Sequence, residues 1–147
     1  MHLRAVPAPA EAPWTDEPLV EQLLHAARRR LTRVAPGDVA AEIAAGAVLV
    51  DIRPLEQRRR DGTIPGAIPI CRNVLEWRCD PSSPWRDERV ADPARRLILI
   101  CDEGYQSSLA AATLLDVGRP GATDVIDGFR GWLAAGLPVS RDEGSER

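Results

Sequence analysis

Four aliphatic residues in succession, Leu97-Ile98-Leu99-Ile100, run straight into Cys101. A loop with one glycine, Asp102-Glu103-Gly104-Tyr105, follows, and then a Ser-, Leu- and Ala-rich stretch that reads as a helix from Gln106 or Ser107 to Val117, ended by Gly118. No other stretch constrains the chain as tightly. An unbroken apolar run bounded by turn signals is a strand buried on both faces, and such a strand needs helices above and below it. Strand, tight loop and helix in that order also bring the Cys101 thiol to a place where unpaired backbone N–H groups and the positive end of a helix dipole converge. That environment favours a thiolate.

The remaining segments repeat the strand–helix theme. Ala47-Val48-Leu49-Val50-Asp51-Ile52 is a second continuous apolar run, stopped by Arg53-Pro54; Leu55 to Asp61 is a short polar helix or loop closed by Gly62. Ile68 to Ile70 and Asp124 to Ile126 read as brief strands. Asn73 caps a short helix over Val74, Leu75 and Trp77, and Asp80 to Asp92 reads as a surface loop. Asp127-Gly128 leads into a last helix that closes at Gly136. Upstream, Leu19, Val20, Leu23, Leu24, Ala27, Leu31 and Val34 recur at helical spacing behind Pro18. The opposite side of that helix holds Arg28, Arg29, Arg30 and Arg33, a solvated face near a helix C-terminus where cations are favoured. Pro36-Gly37-Asp38 opens a second helix through Ala45, with Val39, Ile43 and Ala44 inward. Phe129, Trp132 and Trp77 read as core. The expected fold is α/β: an open, mostly parallel sheet of about five strands with helices on both faces, function gathering at the C-terminal ends of the strands. Residues 1–16 read as a flexible tail, 17–35 as a helical extension, 36–139 as the domain and 140–147 as a second flexible tail.

Composition excludes several function classes. A net charge of -3 over 147 residues offers no electrostatic reason to bind nucleic acid or an anionic membrane. Cys71, Cys79 and Cys101 lie far from His2 and His25 in the chain, so no metal site is expected. No stretch approaches the length of a membrane span, and free thiols suit a reducing, cytoplasmic compartment.

Four separated segments carry a resemblance. Asp51-Ile52-Arg53, Gly62-Thr63-Ile64-Pro65-Gly66-Ala67, Cys101 to Ser108, and Gly128-Phe129-Arg130-Gly131-Trp132 stand in the order found in single-domain rhodanese (sulfurtransferase-like) proteins, which the chain resembles from about Pro36 to Val139. The resemblance implies that Cys101 is a nucleophile carrying sulfane sulfur as a persulfide between a small-molecule or protein donor and acceptor, without a cofactor. It implies that the backbone N–H groups of Asp102, Glu103, Gly104, Tyr105, Gln106 and Ser107 cradle the anion, and that Asp51 and Arg53 support the loops. The family often has His where this chain has Thr63 and Arg where it has Gln106, and one residue is inserted between Arg53 and Gly62. Arg72, just past the Ile68–Ile70 strand, is a candidate substrate contact in place of the missing loop cation. Ser107 and Ser108 read as helix-capping or back-bonding residues. Cys71 and Cys79 read as packed single thiols, with a resolving role left open. The alternatives are a rhodanese-like binding or regulatory module with little turnover and, less well suited to a loop without Arg, a phosphatase or arsenate reductase.

Overall fold

The structure is a computed structural model and describes residues 16–141. The expected N-terminal tail, save Asp16, lies outside those residues, as do 142–147 of the C-terminal one. In chain order the elements are α1 (Leu19–Arg29), α2 (Val39–Ala44), β1 (Val48–Asp51), α3 (Leu55–Asp61), β2 (Ile68–Pro69), α4 (Leu75–Cys79), α5 (Glu88–Ala91), β3 (Leu97–Ile100), α6 (Gln106–Asp116), β4 (Thr123–Asp124) and α7 (Gly128–Ala134). Short 3-10 turns at Pro36–Asp38 and Arg72–Val74 lead into α2 and α4.

The two apolar runs pair with each other at the centre of a parallel sheet ordered β2-β1-β3-β4, in the register Val48↔Leu97 to Asp51↔Ile100. Period-two alternation then divides their side chains. Val48, Val50, Leu97 and Leu99 pack with Leu75, Val90, Ala110 and Leu114 on one face. Leu49, Ile98 and Ile100 pack with Val34, Val39, Phe129 and Trp132 on the other. Each fully buried aliphatic contributes about 1.5–3 kcal/mol, so this central pair fixes the frame on which the Cys101 loop stands.

The sheet has four strands rather than about five. A fifth position exists, but it is a single residue: Val34 bridges Val125 in parallel beyond β4, its N–H donating to Asp124 O at 3.0 Å. Pro36 turns the chain away two residues later and prevents a longer strand. Leu31 and Val34 therefore leave the helix that their spacing suggests, and α1 ends at Arg29.

Other departures share one cause, namely that periodicity marks a face without saying what covers it. Leu19, Val20 and Leu23 of α1, Ile43 of α2 and Trp77 of α4 are exposed, and only Leu24 and Ala27 of α1 are buried. The expected surface loop 80–92 contains α5, capped by the Asp87 side chain accepting from Arg89 N, with Val90 and Ala91 buried. Ser140 exchanges backbone hydrogen bonds with Thr63, at 2.8 and 2.7 Å. Thr63 thus pins the far end of the chain to the Gly62 turn.

Candidate active site

The loop after β3 is shaped by what takes its carbonyl oxygens. Phe129 N–H donates to Cys101 O at 2.8 Å and Arg130 N–H to Asp102 O at 3.0 Å, both from the first turn of α7. Gly104 O accepts from Arg28 Nη2 at 2.8 Å and Arg33 Nη2 at 3.1 Å, and Ser108 Oγ stands 3.2 Å from it. With these oxygens held from outside, N–H groups are left for the thiol. Gly104 N and Ser107 N donate to Cys101 Sγ at 3.2 and 3.3 Å. The amides of Glu103, Tyr105 and Gln106 have no acceptor among the described residues. Gly104 requires its glycine: φ is +87°, and a Cβ would lie 2.9 Å from Asp127 N.

Behind Sγ lies a polar chain that the sequence did not reveal. Ser107 Oγ sits 3.2 Å from Sγ and donates to Asp124 Oδ2 at 2.7 Å; Ser108 Oγ reaches the same oxygen at 2.7 Å. Arg33 Nε closes the set on Asp124 Oδ1 at 2.8 Å. Asp124 is wholly buried. A carboxylate is the stronger acceptor, so the Ser107 hydroxyl hydrogen is committed to Asp124 and its lone pairs face the thiol.

A cavity of about 580 Å³ opens over Cys101. Asp102, Glu103, Tyr105 and Gln106 form one side, and Cys71, Arg72 and Asn73 face them. Arg72 lines the same cavity as Cys101. Its Nη1 is held by Glu76 at 2.8 and 3.0 Å, whereas its buried Nε has no partner among the described residues. Asp51 and Arg53 form a buried pair, with Arg53 Nη2 2.7 Å from Asp51 Oδ2. Arg53 also donates to Gly62 O at 2.9 Å and stacks on Phe129, 3.7 Å from the ring centroid. It ties the β1 end to the Gly62 turn and to α7. Asp102 is ion-paired to Arg130 at 3.1 Å, and Arg130 reaches on to Asp61 at 2.9 Å. Of the two acids flanking Cys101, Glu103 alone faces solvent without a cation among the described residues. Hydrogen bonding from Arg60 holds the Asp61 carboxyl below its ordinary range, with Arg130 adding to the effect.

The other two thiols separate clearly. Cys71 is exposed on the cavity wall and Cys79 is buried. Burial pushes the Cys79 thiol from 9.0 up to about 12, so iodoacetamide at neutral pH is expected to label Cys71 and spare Cys79 until the protein unfolds, read by peptide mass. The raised value also means that the unfolded chain ionises first. The stability that Cys79 contributes is intact below pH 9.0 and is lost as pH rises toward about 12.

Three residues at the site escaped the sequence reading: Arg28, Arg33 and Asp124. Arginines in a last helical turn look solvated, and Asp124 looks like a strand start; only long-range contact reveals them. Among the described residues no cluster of three or more His, Cys, Asp or Glu could hold a metal, and no helix is long and apolar enough to cross a membrane.

Residues 35–135 match the family model described as a rhodanese-like domain. A Rhodopseudomonas palustris protein of unknown function, described as a possible tyrosine phosphatase, is 30% identical with a TM-score of 0.77, covering 87% of this chain and 98% of its own. A thiosulfate sulfurtransferase from Pseudomonas aeruginosa is 24% identical with a TM-score of 0.61, covering 78% of this chain and 20% of its own. A rhodanese-related protein from Thermoplasma volcanium is 21% identical with a TM-score of 0.59, covering 75% and 98%. Both of these likenesses concern the fold. No curated protein matches the sequence.

Proposed function

The chain belongs to the rhodanese-like domain family, and from that membership we propose that it is a sulfurtransferase in which Cys101 carries sulfane sulfur. The Cys101 thiolate attacks the outer sulfur of a donor. A bond from Sγ to that sulfur forms, and the donor's S–S bond breaks with its electron pair leaving on a thiolate or sulfite. An acceptor thiolate then attacks the terminal sulfur and releases the Cys101 thiolate. Two-step transfer of this kind needs an activated nucleophile and fixed donors where the charge rests, and no cofactor.

The observation that carries the reading is the Sγ of Cys101 receiving two backbone N–H groups, from Gly104 and Ser107, at the base of an open cavity. In this reading the donor is thiosulfate or a small-molecule or protein persulfide, and the acceptor is a thiol or other nucleophile, met in a reducing, cytoplasmic setting. The test is intact and peptide mass after exposure to glutathione persulfide and to thiosulfate. One added sulfur on Cys101 that a thiol removes supports the proposal; a Cys101 that no donor loads overturns it.

A second reading, a binding module with little turnover, is favoured by one observation: the loop side chains Asp102 to Ser107 include no cation and an exposed Glu103. An anionic donor meets no charge partner there. Gln106→Arg is therefore expected to raise loading from thiosulfate several-fold and to leave loading from a neutral alkyl persulfide nearly unchanged. The same absence opposes a phosphatase, which must grip a dianion.

A further inference from the structure

We propose that Arg28 and Arg33, from the segment preceding the matched domain, are positioning residues that supply from behind the loop the positive charge its own sequence lacks, and so stabilise negative charge as it develops on the Cys101 sulfur. The inference rests on the sulfur-carrier reading only for the use made of that negative charge.

The guanidinium groups around the cavity are mostly engaged by carboxylates. Arg53 is bound by Asp51, Arg72 by Glu76, and Arg130 by Asp102 and Asp61. Arg28 differs. Its Nε donates to Ser108 Oγ at 3.1 Å and its Nη2 to Gly104 O at 2.8 Å, and it has no carboxylate partner among the described residues. Its charge is thus directed at the loop, with a carboxylate reached only through Ser108. Arg33 plays the complementary part. It shares Gly104 O and offsets Asp124, the buried acid that holds Ser107 and Ser108.

The contact point gives this charge a route to the sulfur. Gly104 O belongs to the peptide whose N–H is that of Tyr105, one of the loop amides without a protein acceptor among the described residues. Donors on a peptide oxygen polarise the peptide and strengthen its N–H. Arg28 also lies 5.7 Å from the centroid of the Tyr105 ring, a cation–π contact that places the ring beside the charge. None of this lies in the loop sequence, and Arg28 and Arg33 precede residue 35, where the family match begins.

Cys101 alkylation by iodoacetamide, followed by peptide mass across pH, tests the proposal without any sulfur donor. Arg28→Gln is expected to slow alkylation at neutral pH about tenfold and to move the profile to higher pH; Arg33→Gln should move it the same way. Arg28→Lys keeps the charge but loses the two-point contact, and should slow alkylation clearly less than Arg28→Gln does. Arg30→Gln is the control, because Arg30 pins the same helix to α6 through Asp116 at 2.6 Å but does not touch the loop. If Arg28→Gln leaves the profile in place, or Arg30→Gln shifts it as far, the proposal is wrong. If the Gln variants do not fold, Arg28→Lys decides: a tenfold loss there overturns the electrostatic role. Failure of every donor to load Cys101, with these shifts intact, would count against the sulfurtransferase alone.

Discussion

The Gly128→Ala protein is expected to take up no sulfur on Cys101 and to lose about 3 kcal/mol of unfolding free energy. Gly128 has φ +56°, and a Cβ there would stand 2.6 Å from Cys101 O, 2.7 Å from Gly104 N and 2.8 Å from Asp102 O. All three are backbone atoms of the loop, so no side chain can swing away to make room. One of them, Gly104 N, is a donor to Sγ. Displacing it removes a hydrogen bond from the thiol and pulls the loop off α7 in the same movement. Urea unfolding and mass after donor exposure check both parts. Gly136→Ala is the natural comparison: φ is +70° there, but nothing lies within 4 Å of the added Cβ. It should cost only the left-handed backbone strain, about 1 kcal/mol, and keep full loading. Equal losses in the two variants would mean that backbone conformation, not the close approach of α7, sets the effect.

Arg119→Met is expected to destabilise by about 4 kcal/mol with little change in the pH profile of Cys101 alkylation. Arg119 is buried, and its guanidinium donates to Cys79 O, Val90 O, Asp92 O and Arg95 O at 2.5 to 2.9 Å. Those oxygens come from the end of α4, from α5 and from the turn before β3. One side chain therefore stitches the irregular stretch between Cys79 and β3 to the end of α6. Burial lowers the basicity of this guanidinium, partly offset by nearby negative groups. Methionine matches the stem and leaves the carbonyls without donors. A urea midpoint unchanged from the unmodified protein would show that water replaces the guanidinium without cost.

The frame of the fold was legible because its signals are local. The runs Val48–Asp51 and Leu97–Ile100 are apolar without interruption, and the serines and alanines after Gly104 announce α6. Asp51 and Arg53, two residues apart at one strand end, form a buried pair there. What escaped were contacts made across long separations. Gly104 O is held by Arg28 and Arg33, 76 and 71 residues away, and Asp124 lies 17 residues from Ser107. A periodic apolar stripe likewise does not reveal how much of itself a small sheet can cover, hence the exposed Leu19, Val20 and Leu23. The single bridging residue Val34 was hidden inside what looked like the end of a helix.

Val34 has a bearing on how copies of this protein can meet. An open sheet normally offers its outermost strands as templates for a strand from another molecule. Here one border is β2, two residues long and ending on Pro69, which has no N–H to give. The other is β4, whose Asp124 O and Ile126 N–H are already taken by Val34. Among the described residues neither border presents a ladder long enough to recruit a neighbour, so this sheet resists edge-to-edge growth without being closed into a barrel.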